Sequence, residues 1–269
     1  MNIAITGGHG FLGRYVVDLL RREGFSPILF DRTRHNLLQP KTLKDFVLKK
    51  DVIIHLAAVN RGTDNEIMNI NAQGTKGLLD AISTYGSGSK LIFASTFQVY
   101  VKGSIYGNSK KQAEEYINDF AKKYGIKSII LRIANIYGPG CKPYYNSVIA
   151  TFVHRIKQGK PLVINGDGTQ KRDYIYVLDA AKAIVQSIFY EPETVEYFDI
   201  CSGKQIMLNT IVEYLRKLSK KNIEVVYNKE VKSYNLGIEK NYKKAENIMG
   251  WRPTITLKEG LKETLNRAL

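Results

Sequence analysis

A hydroxyl, a phenol and an amine stand at Thr96, Tyr106 and Lys110, within the stretch Ser95-Thr-Phe-Gln-Val-Tyr-Val-Lys-Gly-Ser-Ile-Tyr-Gly-Asn-Ser-Lys110. Side chains of these types move protons. A free tyrosine has a pKa of about 10 and is a poor base at neutral pH, but a nearby cation favours its phenolate. Lys110 is expected to supply that cation and to lower the tyrosine's pKa. Thr96 would hold a substrate hydroxyl or carbonyl oxygen, so that Tyr106 takes or gives the proton while a hydride moves at the attached carbon. That is alcohol–ketone redox chemistry. A Tyr-x-x-x-Lys pair alone is common on solvated helix surfaces, so its weight depends on the elements that must position it.

Those elements are legible around it. Leu91-Ile-Phe-Ala94 is a short apolar run, read as a buried strand that delivers Thr96 to its carboxyl end, where ligands of open parallel sheets bind. From Tyr106 onward the apolar positions Ala113, Tyr116, Ile117, Phe120 and Ala121 recur at helical spacing, which puts Tyr106 and Lys110 one turn apart on one face.

The amino-terminal stretch reads as strand Asn2–Thr6, glycine turn Gly7-Gly-His-Gly-Phe-Leu-Gly13, then a helix through Tyr15, Val16, Leu19 and Leu20. In that context the glycines let the backbone approach a pyrophosphate, and the helix amino terminus favours its charge. Gly7, Gly10, Phe11, Leu12 and Gly13 are therefore candidate cofactor contacts. A second strand, Pro27–Phe30, ends in Asp31, where an acidic residue meets an adenosine ribose; this argues for NAD, while the adjacent Arg32 and Arg34 would suit the 2′-phosphate of NADP. A short helix over 41–48 leads to the strand Val52–Leu56, whose end, Leu56, Ala57 and Ala58, leaves room for a flat cofactor. His55 reads as a packed strand residue. The helix Glu66–Tyr85 carries a polar Asn71 that needs a partner if buried. With the strand Ser128–Arg132, the alternation predicts an α/β chain with a doubly wound parallel sheet.

Beyond Gly138-Pro-Gly140 the pattern continues: helix Val148–Ile156, strand Leu162–Ile164, a turn at Gly166–Gly168, strand Tyr174–Val177, helix Ala180–Phe189, strand Tyr197–Ile200, helix Leu208–Leu218, strand Ile223–Tyr227 and helices near Ala245 and Leu261. This part is read as a smaller substrate-binding lobe, residues 141–269, interleaved with the main sheet near 161–200; residues 1–140 form the dinucleotide-binding part.

At 269 residues the chain can bury a substantial core, and its 44% apolar and 24% charged composition is that of a globular protein. No apolar run approaches the ~20 residues of a membrane span, and Met1 opens directly into a strand, so a cytoplasmic protein is expected. Cys141 and Cys201 lack metal-ligand spacing, and no metal is expected. The formal charge of +15 suggests a polyanionic partner, but the lysines are spread over many segments, as on solvated helix faces, so neither nucleic acid nor membrane is the expected partner.

Taken together, the motifs resemble those of the extended short-chain dehydrogenase/reductases, in the group of NAD-dependent epimerase/dehydratases that act on nucleotide sugars. Thr6-Gly-Gly-His-Gly-Phe-Leu-Gly13 is similar to the cofactor motif, Asp31 to the ribose-binding acid, His55-Leu-Ala-Ala58 to the strand motif and Asn71-Ala-Gln-Gly-Thr75 to the asparagine helix; Thr96, Tyr106 and Lys110 fall where the catalytic trio belongs. The resemblance implies a Rossmann-type fold and NAD, with NADP as the alternative. It also implies that Asn135, within Leu131-Arg-Ile-Ala-Asn135, and Arg172, within Gly166-Asp-Gly-Thr-Gln-Lys-Arg172, grip the diphosphate of a UDP-, dTDP-, GDP- or CDP-linked hexose. Arg suits this, because its planar fork bonds phosphate oxygens in pairs; the structural alternative is an ion pair with Asp173 or Asp179. Trp251, in the terminal motif, is expected to pack.

Members that dehydrate the sugar carry an Asp-Glu pair after the catalytic Thr, where this chain has Phe97 and Gln98. The short segments from Thr96 to Tyr106 and from Asp31 to Val52, with Cys141–Phe152, resemble instead the 4-ketoreductases of capsule and O-antigen 6-deoxysugar pathways. The expectation is thus a reaction at carbon 4 of a nucleotide-linked hexose, with 4-ketoreductase ahead of 4-epimerase. The reading from another class is a non-catalytic dinucleotide- or RNA-binding member of the fold. The family resemblance further implies a homodimer through the helices over 66–85 and 106–124.

Overall fold

Near-continuous runs such as Ile3–Ile5, Val52–Ile54, Leu91–Phe93 and Ile129–Leu131 have apolar side chains on both strand faces, so their sheet must be covered on both sides. The computed structural model, which describes residues 1–86, 88–145, 147–230 and 238–267, meets that demand. Strands β1 (Ile3–Thr6), β2 (Ile28–Leu29), β3 (Val52–His55), β4 (Lys90–Thr96), β5 (Ser128–Ile133) and β9 (Val195–Ile200) form one parallel sheet in the order β2-β1-β3-β4-β5-β9. Ile3, Ile5, Ile54, Ile92 and Leu131 face one layer, which holds α1 (Phe11–Arg22) and α7 (Val177–Ser187). Ala4, Ile53, Leu91, Phe93 and Ile130 face the other, with α4 (Gly74–Tyr85) and α5 (Ile105–Tyr124).

From β1 the chain moves outward to β2, then returns across β1 to β3. The winding direction reverses there, which opens a crevice at the carboxyl ends of β1 and β3. The glycine turn and Ala57-Ala58 sit at that crevice.

A second core gathers under α6 (Val148–Lys157), α8 (Leu208–Ser219) and α10 (Leu257–Asn266), around Tyr137, Tyr174, Ile164 and Leu261. Its strands are β6 (Asn135–Tyr137), β8 (Lys171–Tyr176) and β10 (Gln205–Met207) in one small sheet, and β7 (Leu162–Asn165) paired with β11 (Val225–Asn228) in another. Only Ala134 separates β5 from β6, so the chain crosses from the large sheet into the small one at the substrate side of the crevice. Trp251 packs as expected: it is buried, and its Nε1 donates to Asp179 O at 3.0 Å.

Several elements differ from the sequence reading. β2 has two residues rather than four. The segment at 41–48 is a 3₁₀ turn, Pro40–Leu43, followed by the single-turn α2 (Lys44–Val47). The helix expected to run unbroken from Glu66 to Tyr85 starts as α3 (Asp64–Met68), fixed by a capping box between Thr63 and Glu66, and passes through a π-turn, Asn69–Gln73, before α4. Strands β6 and β10 were not expected, because three residues carry no measurable alternation. Among the described residues no helix is long and apolar enough to cross a membrane.

Candidate active site

The cofactor side begins at the glycine turn. Gly7 has φ +73°, and a Cβ there would lie 2.7 Å from Ala57 N. At Gly13 a Cβ would lie 2.1 Å from Gly7 O, so the third glycine lets α1 start hard against the turn. Gly10 caps α1 with no side-chain bond to its amides, and no acidic residue stands in the first turn, so that terminus suits an anion. Phe11 and Leu12, half-buried, form its first turn. Asp31 lies exposed beyond β2, where Thr33 donates both its amide and its hydroxyl to Oδ1 at 2.9 and 2.8 Å, holding the carboxyl below its usual pKa; Arg32 and Arg34 are exposed beside it. Leu56 and Ala57 are half-buried and Ala58 exposed at the mouth of the crevice. A cradle that only glycine can line, an uncapped helix terminus and an exposed acid at the neighbouring strand end fit an adenine dinucleotide.

Behind this surface runs a chain of buried hydrogen bonds. Ala57 N donates to Thr6 Oγ1 (3.2 Å), which meets His55 Nδ1 at 2.6 Å; His55 Nε2 meets Thr75 Oγ1 at 3.0 Å, and Thr75 donates to Asn71 O at 2.6 Å. Since the Thr75 proton is committed to Asn71 O, Nε2 must donate and Nδ1 accept, which fixes the imidazole as the neutral Nε2–H tautomer. Burial, helped by Lys110, pushes the His55 pKa down to about 3. Asn71 uses its amide fully: Nδ2 donates to Val59 O (2.7 Å) and Ser109 Oγ (3.0 Å), and Oδ1 accepts from Val59 N (2.8 Å). Ser109 in turn donates to Tyr106 O at 2.8 Å. The partner that a buried asparagine requires is thus the loop after β3 and the helix that carries Tyr106.

Thr96 ends β4, its Oγ1 accepting from Gln98 N at 3.3 Å. Helix α5 is brought to that strand end by Gly107, where a Cβ would lie 2.1 Å from Gln98 O, and by Ser104, which caps the helix at Gly107 N and donates to Gln98 Oε1 at 2.7 Å. Tyr106 and Lys110 occupy successive turns, as their spacing predicts. Lys110 is buried with Nζ 3.9 Å from the Phe93 ring centroid.

The electrostatics correct one expectation. Lys110 does not depress the tyrosine: burial, with the neighbouring Tyr145 phenol, pushes Tyr106 up to about 12, while burial pulls Lys110 down to about 7 against the pull of Glu114. Desolvation outweighs the pairing that helical spacing alone suggests. Tyr106 therefore keeps its phenolic proton across the neutral range.

Beyond the end of β4, Thr96, Phe97, Gln98, Asn135, Arg172 and Asp173 are among the residues lining one narrow cleft. Asn135 Nδ2 donates to Asp173 O at 2.9 Å. A larger, open pocket of about 290 Å³ shares Asn135 and Arg172 with it. The carboxylates weighed as alternative partners of Arg172 are engaged elsewhere: Asp173 accepts from Ser202 N and Lys204 N, and Asp179 from Thr254 N and Oγ1 and from Ile255 N, with Lys182 Nζ 3.9 Å away. The structure thus brings Thr96, Asn135 and Arg172 to one wall, with Tyr106 and Lys110 on the helix pinned to the same strand end. Sequence reasoning missed Gln98, Ser104 and Gly107, which set that helix against the strand; a Ser three residues before a Gly at a helix start was the available signal.

Fold and site define a dinucleotide-binding α/β enzyme of the short-chain dehydrogenase/reductase architecture. The chain belongs to the NAD dependent epimerase/dehydratase family, whose model matches residues 3–196. It is 32% identical to a putative UDP-glucose 4-epimerase of Methanocaldococcus jannaschii over 98% of this chain and 97% of that protein. It is 29% identical to a dTDP-4-dehydro-6-deoxyglucose reductase of Escherichia coli over 96% and 95%. Among solved structures, the UDP-glucose 4-epimerase of Thermotoga maritima with UDP-glucose is similar at a TM-score of 0.86 and 29% identity, covering 99% of this chain and 98% of that one.

Proposed function

We propose that this chain is an NAD(P)H-dependent 4-ketoreductase acting on a nucleotide-linked hexose. The observation that carries the reading is the convergence of Thr96, Asn135 and Arg172 on one cleft beside the helix of Tyr106 and Lys110. Bound between the glycine turn, Asp31 and Lys110, the dinucleotide would supply the hydride. Asn135 and Arg172 hold the diphosphate, so binding energy remote from the reacting carbon orients the sugar. Thr96 holds the 4-keto oxygen, and Tyr106 donates the proton to it as the hydride arrives.

Two features favour reduction. The Tyr106 phenol stays protonated across the neutral range, as a proton donor must. Asp31 with Arg32 and Arg34 beside it suits either NADH or NADPH, the cofactors a reductase consumes. Buried Phe97 and neutral Gln98 lack the acid and base that loss of water from the sugar needs.

A second reading, 4-epimerisation with retained NAD, is favoured by the similarity to the Methanocaldococcus jannaschii protein. The two separate in one assay. Purified protein is given a UDP- or dTDP-linked 4-keto-6-deoxyhexose with NADPH or NADH, and separately UDP-glucose with no added cofactor. Stoichiometric loss of absorbance at 340 nm in the first supports the reductase; galactose formation in the second, with NAD released on denaturation, replaces it by the epimerase. Activity in neither would leave the non-catalytic reading standing. The exposed Ile70 and Tyr124 and the half-buried Tyr116 and Phe120 also support a homodimer through the segments 66–85 and 106–124.

A further inference from the structure

Glu114 lies one helical turn past Lys110 and is 3% exposed, a buried carboxylate that the proposed reaction does not use. Its Oε1 accepts from Ser95 Oγ at 2.5 Å and from Arg132 Nε at 3.0 Å, and its Oε2 from Arg132 Nη2 at 2.5 Å. Ser95 directly precedes Thr96 on β4. Arg132 lies on β5, three residues before Asn135. Its guanidinium also donates through Nη1 to Tyr100 Oη (3.0 Å) and stacks between the rings of Tyr100 and Tyr197, at 5.0 and 4.7 Å. Tyr100 in turn donates to Asp199 Oδ1 on β9 at 2.8 Å. A single carboxylate thereby joins the ends of β4 and β5 to the helix bearing Tyr106 and Lys110.

We propose that Ser95, Glu114 and Arg132 form a clamp around a buried carboxylate, in which Glu114 is a positioning residue that fixes Thr96 against helix α5 and supplies a negative charge one helical turn from Lys110. The proposal rests on the reading of Tyr106 and Lys110 as the proton-handling pair. A fully desolvated ammonium over an aromatic face loses its proton readily, and Glu114 is the carboxylate that opposes this. Among the described residues His55 on β3, which is neutral, also acts on Lys110, and Tyr106 stands one turn earlier on the same helix and is protonated. Arg132 faces Glu114 from β5 and shares its charge. Tyr197, bonded by Asn118 Nδ2, flanks it from β9. The clamp thus has two adjustable parts with opposite signs: removing Glu114 withdraws support from the ammonium, and removing Arg132 leaves the carboxylate's charge unshared.

The test follows the Lys110 titration in the ligand-free protein through its ¹³Cε resonance, assigned by its loss in Lys110→Met. In the unaltered chain the midpoint is expected at about 7. Glu114→Gln, which keeps the shape and an acceptor for Ser95, should move the midpoint down by about one pH unit or more, and Arg132→Gln should move it up. The double variant Glu114→Gln/Arg132→Gln removes the pair as a unit, which buried ion pairs tolerate better than loss of one partner. Its midpoint should also fall, so it decides the matter if a single variant does not fold. A midpoint that stays in Glu114→Gln or in the double variant, or that moves the same way in both single variants, overturns the proposal. The readout needs no sugar substrate. A shifted titration without activity on any nucleotide sugar would refute the functional reading and keep the clamp; activity with an unshifted titration would do the reverse.

Discussion

The two walls of the crevice are built differently. Around the glycine turn and the end of β3, close packing is made by backbone, and the polar groups behind it, Thr6, His55, Thr75, Asn71 and Ser109, are buried with their hydrogen bonds made inside the protein. On the substrate wall the polar groups are side chains at the surface: Asn135 is exposed and Arg172 half-buried, while Gln170 Oε1 is buried with no hydrogen-bond partner. The cofactor wall is rigid by construction, because a turn whose glycines cannot accept a Cβ has one way to pack. The substrate wall carries its recognition on long side chains that can be exchanged without moving the fold.

The largest expected effect lies where the two walls meet. Tyr106→Phe should lower turnover roughly 10³-fold, within the range that general acid catalysis contributes, while cofactor and nucleotide sugar still bind. Steady-state rates with fluorescence titration of the reduced cofactor measure both, and an active Phe variant would sink the mechanism. Next comes Gly13→Ala. Its added methyl would lie 2.1 Å from Gly7 O, so α1 or the turn must shift; a loss of about 2 kcal/mol of stability and a large fall in dinucleotide affinity are expected together. Thermal melting and cofactor titration test the pair of effects. The smallest change is expected from Arg172→Ala, which should raise the KM for the nucleotide sugar about 10-fold with kcat changed little and with a smaller loss of melting temperature than Gly13→Ala, since it removes a charge-assisted contact made equally in ground and transition states. If Arg172→Ala destabilised the fold as much as Gly13→Ala, the contrast between the walls would be wrong.

The same contrast governs what the amino-acid sequence discloses. The cofactor wall is made of short contiguous motifs whose spacing carries its own geometry, so the strand, glycine turn, helix and Asp31 could be read one after another. The parallel sheet followed from alternation of apolar strands and helices. The substrate wall joins Thr96, Asn135 and Arg172 across long sequence separations, and only the family resemblance put them in one place. Helical spacing put Tyr106 and Lys110 on one face but said nothing of how dry that face is. Burial therefore reversed the expected effect on the phenol, and Phe93, which sits under the ammonium, appeared only as a strand residue. Likewise His55 was read as packed; it is packed, but it also holds the loop after β3 to Asn71 in a fixed tautomer.

The π-turn over Asn69–Gln73 inserts one residue's worth of extra winding between α3 and α4, and it is there that Asn71 turns its amide toward both Val59 and Ser109. Forcing the segment into a regular helix with every residue kept would rotate one half against the other by about 100° and carry Asn71 off that face. Anyone engineering this chain for heat resistance by idealising its helices would meet a trap here, since the straightened segment would melt later and no longer hold Tyr106 in register with the crevice.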